Sequence, residues 1–231
     1  MLSFKIFVDD QDEVDVGRFY GALFAIRAWY AGRIQVVNLS IWMTQVSKTL
    51  LKEFEKCETA GIIFAICAGN QFVDPTPPDP WKEPIFSVTY PARLQKVLSV
   101  GAITLAGERA DFSRFSAYRK SRTVEGNDPY SIFTQRNSLV DVVAPGIFIV
   151  STVPQSVNQK GIEWMDGTSM ATPYVTAAVA ILRSKYSSSN DDIRGKLKAS
   201  LDRAKIPAQS PSSDVTLAEM YGDGLLDYSK L

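Results

Sequence analysis

Ser169 lies in "DGTSMATPYV", a run of small residues between Gly167 and Pro173. Small neighbours let another backbone approach the hydroxyl, and Gly167 permits a sharp turn just ahead of it. An apolar helical pattern follows, so the serine sits at a helix N-terminus, where free N–H groups and the dipole favour developing negative charge. Pro173 is expected in the first turn of that helix, the one place where its missing N–H is tolerated. Such a serine suits attack on an acyl carbon, with the resulting oxyanion held by N–H donors. Taken alone, the turn is equally an ordinary Ser-capped helix. A second candidate, Asn70, ends "AICAGN", at the carboxyl end of a strand where function gathers in open parallel sheets. Its amide can donate to an oxyanion, although an Asn after a strand is most often a turn residue. A serine hydroxyl is a poor nucleophile without a base, and the 231 residues contain no histidine. No lysine stands close to Ser169 in the motif to replace it.

The elements that must position these residues alternate short β-branched runs with longer helical patterns, the signature of a parallel sheet with crossover helices. "FKIFV" (Phe4 to Val8) reads as a strand. Between Val14 and Tyr30, Val16, Phe19, Tyr20, Leu23, Ile26 and Tyr30 share a helical face, stopped by Gly32. "QVVNLS" (Gln35 to Ser40) is the next strand, and Val46, Leu50, Phe54 and Cys57 mark a second helix ending near Gly61. "IIFAIC" (Ile62 to Cys67) is apolar throughout, as expected of a strand covered on both faces. "KVLSVGAIT", "LVDVVAPG" and "IFIVST" supply further strands. A central helix runs from about Ser169 to Lys185, and "SSSNDDIRGKLKASL" forms a capped final helix. The proline-rich "QFVDPTPPDPWKEP" reads as an ordered surface loop, and the polar "AYRKSRTVEGNDPYSIFTQRNS" as an insertion.

With 45% hydrophobic residues, the chain suffices for one domain over 1–231. Twenty-five basic residues balance twenty-five acidic ones, which argues against nucleic acid or a charged membrane surface as partner. No apolar run approaches the ~20 residues of a membrane span. The opening "MLSFKIFVDDQDE" has neither the basic leader nor the apolar stretch of a signal peptide, and the compartment stays open. Cys57 and Cys67 match no metal spacing and read as buried thiols; no cofactor and no metal-ligating residues are named, and the sequence leaves calcium binding open.

"DGTSMATPYV" and "AICAGN" occur with "VVNLS", "YPARLQKVLSVGAI", "RADFSRFS", "VDVVAPGIFIVSTVP" and "YGDGLLDY" in the order found in subtilisin-like serine peptidases. The chain resembles that family over nearly its whole length. The resemblance implies a three-layer α/β fold with a mostly parallel sheet, and a serine endopeptidase domain acting on polypeptides through an acyl-enzyme on Ser169. It implies Asn70 and the Ser169 N–H as oxyanion donors, and Ser40, Ala68 and Gly69 as residues lining the substrate cleft. The family's Asp and His precede its Ser, and their motifs precede everything that matches here. "MLSFKIFV" corresponds to the strand just after the histidine helix. The resemblance therefore describes a partial domain without its N-terminal strands and without either triad partner, inactive by itself. The glutamate that a related branch uses as base falls in the same segment. The rivals are a peptide-binding pseudoprotease and one half of a split protease completed by another chain. Tyr174 replaces a histidine that is not the catalytic base. Trp42 replaces a glycine beside the substrate strand, where its ring either narrows the cleft or packs on the surface. In the family's strand order one strand lies between "FKIFV" and "QVVNLS". Its absence leaves either an open edge at "QVVNLS" or a pairing closed by inward movement of "FKIFV" or by self-association.

Overall fold

The computed structural model describes residues 1–7, 14–43, 46–70, 89–103, 139–204 and 221–231. The proline-rich loop, the polar insertion and "RADFSRFS" lie outside the described residues. The chain folds around a four-stranded parallel sheet in the order β1 (Val36–Leu39), β2 (Ile63–Cys67), β3 (Leu98–Ile103) and β4 (Val142–Pro145).

Strand β2 explains the layering. Its residues are buried throughout, and their alternation sends Phe64 and Ile66 to one face and Ile63 and Ala65 to the other. The first face meets α1 (Val16–Trp29) and α2 (Lys48–Thr59) through Phe19, Leu23, Ile26, Leu50 and Phe54. There Phe54 packs edge-on against both Phe19 and Phe64, with centroids 5.9 and 4.9 Å away. Each such pair adds about 0.5–1.5 kcal/mol beyond the area it buries. The second face meets α3 (Thr168–Lys185) and α4 (Asn190–Ser200) through Ala171, Val175, Val179, Ile193 and Leu197. Two helical layers thus enclose one sheet, the three-layer α/β architecture the sequence predicts. Side-chain caps begin three of the helices: Asp15 accepts from the Arg18 N–H, Ser47 from the Leu50 N–H and Ser189 from the Asp192 N–H.

Two departures from the sequence reading stand out. "FKIFV" is no sheet strand among the described residues: Phe7 makes a single antiparallel bridge with Val14, and Ile6 packs on the α1 layer. The Asp15 N–H also donates to the Ile6 carbonyl at 2.8 Å, but an apolar run becomes a strand only where a neighbour supplies a ladder of such bonds, and no sheet among the described residues includes this segment. Its inward pairing with β1 is accordingly not observed. The second departure is an antiparallel ribbon of β5 (Ile149–Thr152) and β6 (Ile162–Met165), of which only β5 is anticipated.

Candidate active site

Ser169 follows Thr168, the first residue of α3, so its N–H is one of the helix's unpaired N-terminal donors. The turn into the helix depends on Gly167, whose φ is 152°. A Cβ there would stand 2.9 Å from the Asn70 amide nitrogen, so any side chain displaces that group. Gly146 is required for the same approach, since its carbonyl accepts from the Gly167 N–H at 2.8 Å. A Cβ on Gly146 would lie 2.7 Å from the Gly167 oxygen.

The end of β2 meets this turn directly. Asn70 Oδ1 accepts from the Thr168 N–H at 2.9 Å and from the Thr168 hydroxyl at 2.8 Å. A backbone N–H only donates, so the atom facing it must be the amide oxygen, and the Asn70 NH2 group is turned away from Thr168. The Thr168 hydroxyl also accepts from the Gly69 N–H at 3.2 Å, which closes the link between strand and helix. Thr168 is itself fully buried. The structure thus brings Asn70 and Ser169 together through Thr168, a residue that sequence reasoning passed over.

Pro173 lies beyond the first turn of α3, contrary to the expectation from sequence. It has no N–H to give the Ser169 carbonyl four residues earlier. The Ser40 hydroxyl, at the carboxyl end of β1, donates to that carbonyl instead at 2.8 Å. Ser40 is in turn held by the Asn38 amide at 3.0 Å, and the Thr176 hydroxyl donates to the Asn38 amide oxygen at 3.1 Å. The proline is tolerated inside the helix because β1 satisfies the carbonyl it leaves unpaired.

Ala68 and Gly69 are buried beneath the site. The Ala68 N–H donates to the Val100 carbonyl, and its own carbonyl accepts from both the N–H and the hydroxyl of Thr89. Trp42 is half-exposed, and the Tyr174 carbonyl accepts from the Tyr228 hydroxyl at 2.5 Å. Both cysteines are buried free thiols, as read from the sequence. The Cys67 thiol donates to the Ile41 carbonyl at 3.3 Å and lies against Ser169 and Thr168. Burial pushes it up to about 11, although hydrogen bonds to Ser169 and Thr168 hold it lower than burial alone would. A thiol protonated at neutral pH cannot take the Ser169 proton. Among the described residues no cluster of His, Cys, Asp or Glu could hold a metal ion.

A serine at a glycine turn, tied through a threonine to an asparagine at a strand's end, can be set against known proteins. The subtilase family model matches residues 15–224. Subtilisin Savinase from Lederbergia lenta is 28% identical over 195 residues, spanning 84% of this chain and 55% of that protein. Subtilisin E from Bacillus subtilis (strain 168) is 27% identical over 189 residues, 81% of this chain and 41% of that protein. Among solved structures, the prenylagaramide maturation protease PagA aligns with a TM-score of 0.65 at 19% identity, over 97% of this chain and 69% of its own. The self-cleaved protease domain of PatA aligns with a TM-score of 0.64 at 21% identity, over 98% and 70%. These structural likenesses carry the fold. The chain spans about half the length of the curated relatives it matches. The family match begins at Asp15, the α1 cap, ends at Gly224 in the C-terminal segment, and takes in Asn70 and Ser169 between them. On that extent of agreement the chain belongs to the subtilase family.

Proposed function

We propose that this chain is the serine-bearing part of a peptide-bond hydrolase. Ser169 is the nucleophile, and the Asn70 amide and the Ser169 N–H receive the oxygen of the tetrahedral intermediate. Attack of the Ser169 oxygen on the substrate carbonyl carbon forms the new C–O bond, pushes the carbonyl π electrons onto the substrate's carbonyl oxygen and gives the hydroxyl proton to a base from outside the 231 residues. Collapse of the intermediate breaks the C–N bond and expels the amine, which takes that proton, and water later adds to the acyl carbon and releases Ser169. Ser40, Ala68 and Gly69 shape the cleft for an extended polypeptide: Ser40 by fixing the Ser169 backbone, Gly69 by anchoring Thr168. The observation that carries the reading is the pair of hydrogen bonds from Thr168 to Asn70 Oδ1, which leaves the amide donors free beside the serine turn.

The 231 residues supply no imidazole to take the serine proton. The chain by itself is therefore expected to show no practical peptidase activity and to react very slowly with a fluorophosphonate. Any residual effect is bounded by the about 10³–10⁴-fold over water that subtilisin itself keeps without its triad. Casein or peptide hydrolysis by the pure chain, abolished in Ser169→Ala, would show instead that a base is present. A peptide-binding domain without chemistry is the second reading, favoured by the same missing imidazole. Peptide binding unaffected by Ser169→Ala, with no turnover after any added chain or base, would select it.

A further inference from the structure

One face of the β5–β6 ribbon is apolar although it looks outward. Val150 stands directly opposite Trp164, and Thr152 opposite Ile162, so these four side chains share a face. Phe148 joins them, its ring 5.4 Å from that of Trp164. None of the five carries a charge. Phe148, Val150, Ile162 and Trp164 are between 38% and 67% exposed, where a ribbon face turned to water is ordinarily polar.

Phe148 holds its place against a backbone preference. Its φ is 53°, in the left-handed region that a bulky aromatic residue rarely enters. The Asp166 carboxylate accepts its N–H at 2.6 Å and fixes that conformation. A glycine would take the same conformation without strain, so what the strain retains is the ring.

The same hydrogen bond ties the ribbon to the serine turn. Strand β6 runs through Asp166 and Gly167 into Thr168 and Ser169, and the Gly167 N–H donates to the Gly146 carbonyl just ahead of β5. The ribbon also lies on a definite side of the serine. Ser40 and the Ala68–Gly69 segment stand at the carboxyl ends of β1 and β2, at one end of the sheet order, whereas the ribbon follows β4 at the other. A polypeptide whose acyl side lies over β1 and β2 therefore leaves Ser169 toward the ribbon. At ~3.3 Å per extended residue, it draws level with Trp164 at about its fourth or fifth residue.

We propose that this apolar face docks the polypeptide substrate, taking branched or aromatic side chains from about the fourth to the sixth residue after the scissile bond. The proposal rests on the peptidase reading for the direction in which that chain leaves Ser169. A face without charge selects apolar side chains, and its size selects a short segment. The exposed side chains present on the order of a few hundred Å², against the ~800 Å² per partner that a stable dimer buries. A second copy of this chain is therefore the poorer occupant. A polypeptide already seated at Ser169 meets the ribbon at high effective concentration, so a small contact suffices.

The chain has no imidazole, so peptides are expected to stay intact on it and NMR on the full chain reads binding directly. The first probe, capped at both ends, is four alanines, then Ser-Gly-Ser, then Val-Phe-Val. In the second, three serines replace Val-Phe-Val, and the third is the four alanines alone. The first is expected to bind at least about tenfold more tightly than the second. The third is expected to shift the Ser40 and Gly69 amides and leave those of Val150 and Ile162 in place. A nitroxide on the carboxyl end of the first probe is expected to broaden the Thr152 and Ile162 amides, and one on its amino end those of Ser40 and Gly69. Phe148→Gly, and separately Val150→Ser with Ile162→Ser, are expected to weaken the first probe about tenfold and leave the third unchanged. The urea midpoint of Phe148→Gly is expected to stay level or rise, because the strained φ is relieved. Equal binding of the first and second probes, nitroxide contacts in the reverse order, or unchanged affinity in both variants would each overturn the proposal. The peptidase reading would survive any of these, since the third probe reports on the cleft alone. Broadening of the ribbon amides that grows with protein concentration in the chain by itself would also overturn the proposal, and would assign the face to a second copy.

Discussion

The Ser40 hydroxyl replaces a backbone donor that Pro173 lacks, and this substitution can be measured. Ser40→Ala leaves the Ser169 carbonyl without either partner and is expected to cost about 1–3 kcal/mol in urea unfolding. In a Pro173→Ala background a helical N–H again reaches that carbonyl, so the same Ser40→Ala change is expected to cost less than about 1 kcal/mol. A double-mutant cycle that comes out additive would show that the two groups do not serve one carbonyl. Asn70 makes a catalytic prediction. In a form of the protein that hydrolyses peptides, Asn70→Ala is expected to lower kcat by about 10²–10³ with KM little changed, a magnitude known from subtilisin itself. A rise in KM with kcat intact would make Asn70 a substrate-binding group instead. The places of Ser169 and Asn70 in the fold were legible in the sequence because their signals are local, a glycine turn before a helix and a strand's polar end. Thr168 and Ser40 act through contacts that span 98 and 129 residues of chain, and no local pattern announces such a pairing.

At the scale of elements, burial decided what could be read. Strands β2 and β3 are buried throughout because helices cover both of their faces, and three helices declare themselves through serine and aspartate caps. Strand β6 escaped notice because Ile162, Trp164 and Met165 are exposed, so its pattern records no core-facing side. "FKIFV" misled for the opposite reason: its apolar residues serve packing against α1, which a strand pattern resembles. The junction of β3 and β4 carries a titration. Asp141 accepts from the Ser99 N–H at 2.7 Å, and burial, opposed by that hydrogen bond and reinforced by Asp223, pushes its carboxyl up to about 6. The folded state thus binds the proton more tightly than the unfolded chain does. The stability this group contributes is complete below about pH 4 and is lost as pH rises through about 6, a change of up to about 3 kcal/mol. Asp141→Asn, whose amide oxygen still accepts from Ser99, is expected to remove that dependence and to be the more stable protein above pH ~6. Equal slopes of unfolding free energy between about pH 4 and 6 for the two proteins would show that Asp141 titrates alike in both states.

Across the whole molecule the two helical layers are held unequally. Helix α3 packs between the sheet and α4, crosses four strands and is tied to β1 and β2 by Ser40, Asn38 and Asn70. Helix α1 stands over the β1 end of the sheet, beside a groove of about 950 Å³ lined by α1, β1 and the N-terminal segment, and its ties among the described residues are apolar packing, the Arg27–Glu53 ion pair at 2.7 Å, the Cys57 thiol donating to the Leu23 carbonyl at 3.6 Å and the Arg18 contact with the Phe7 carbonyl. A layer with few hydrogen-bonded links and a groove beneath it opens at lower free energy than the rest of the fold. Amides in the middle of α1 are therefore expected to exchange roughly tenfold or more faster than those in the middle of α3, without global unfolding. If α1 and α3 instead exchange at one common rate that tracks global stability, the molecule is a single cooperative unit and the two helical layers are held alike.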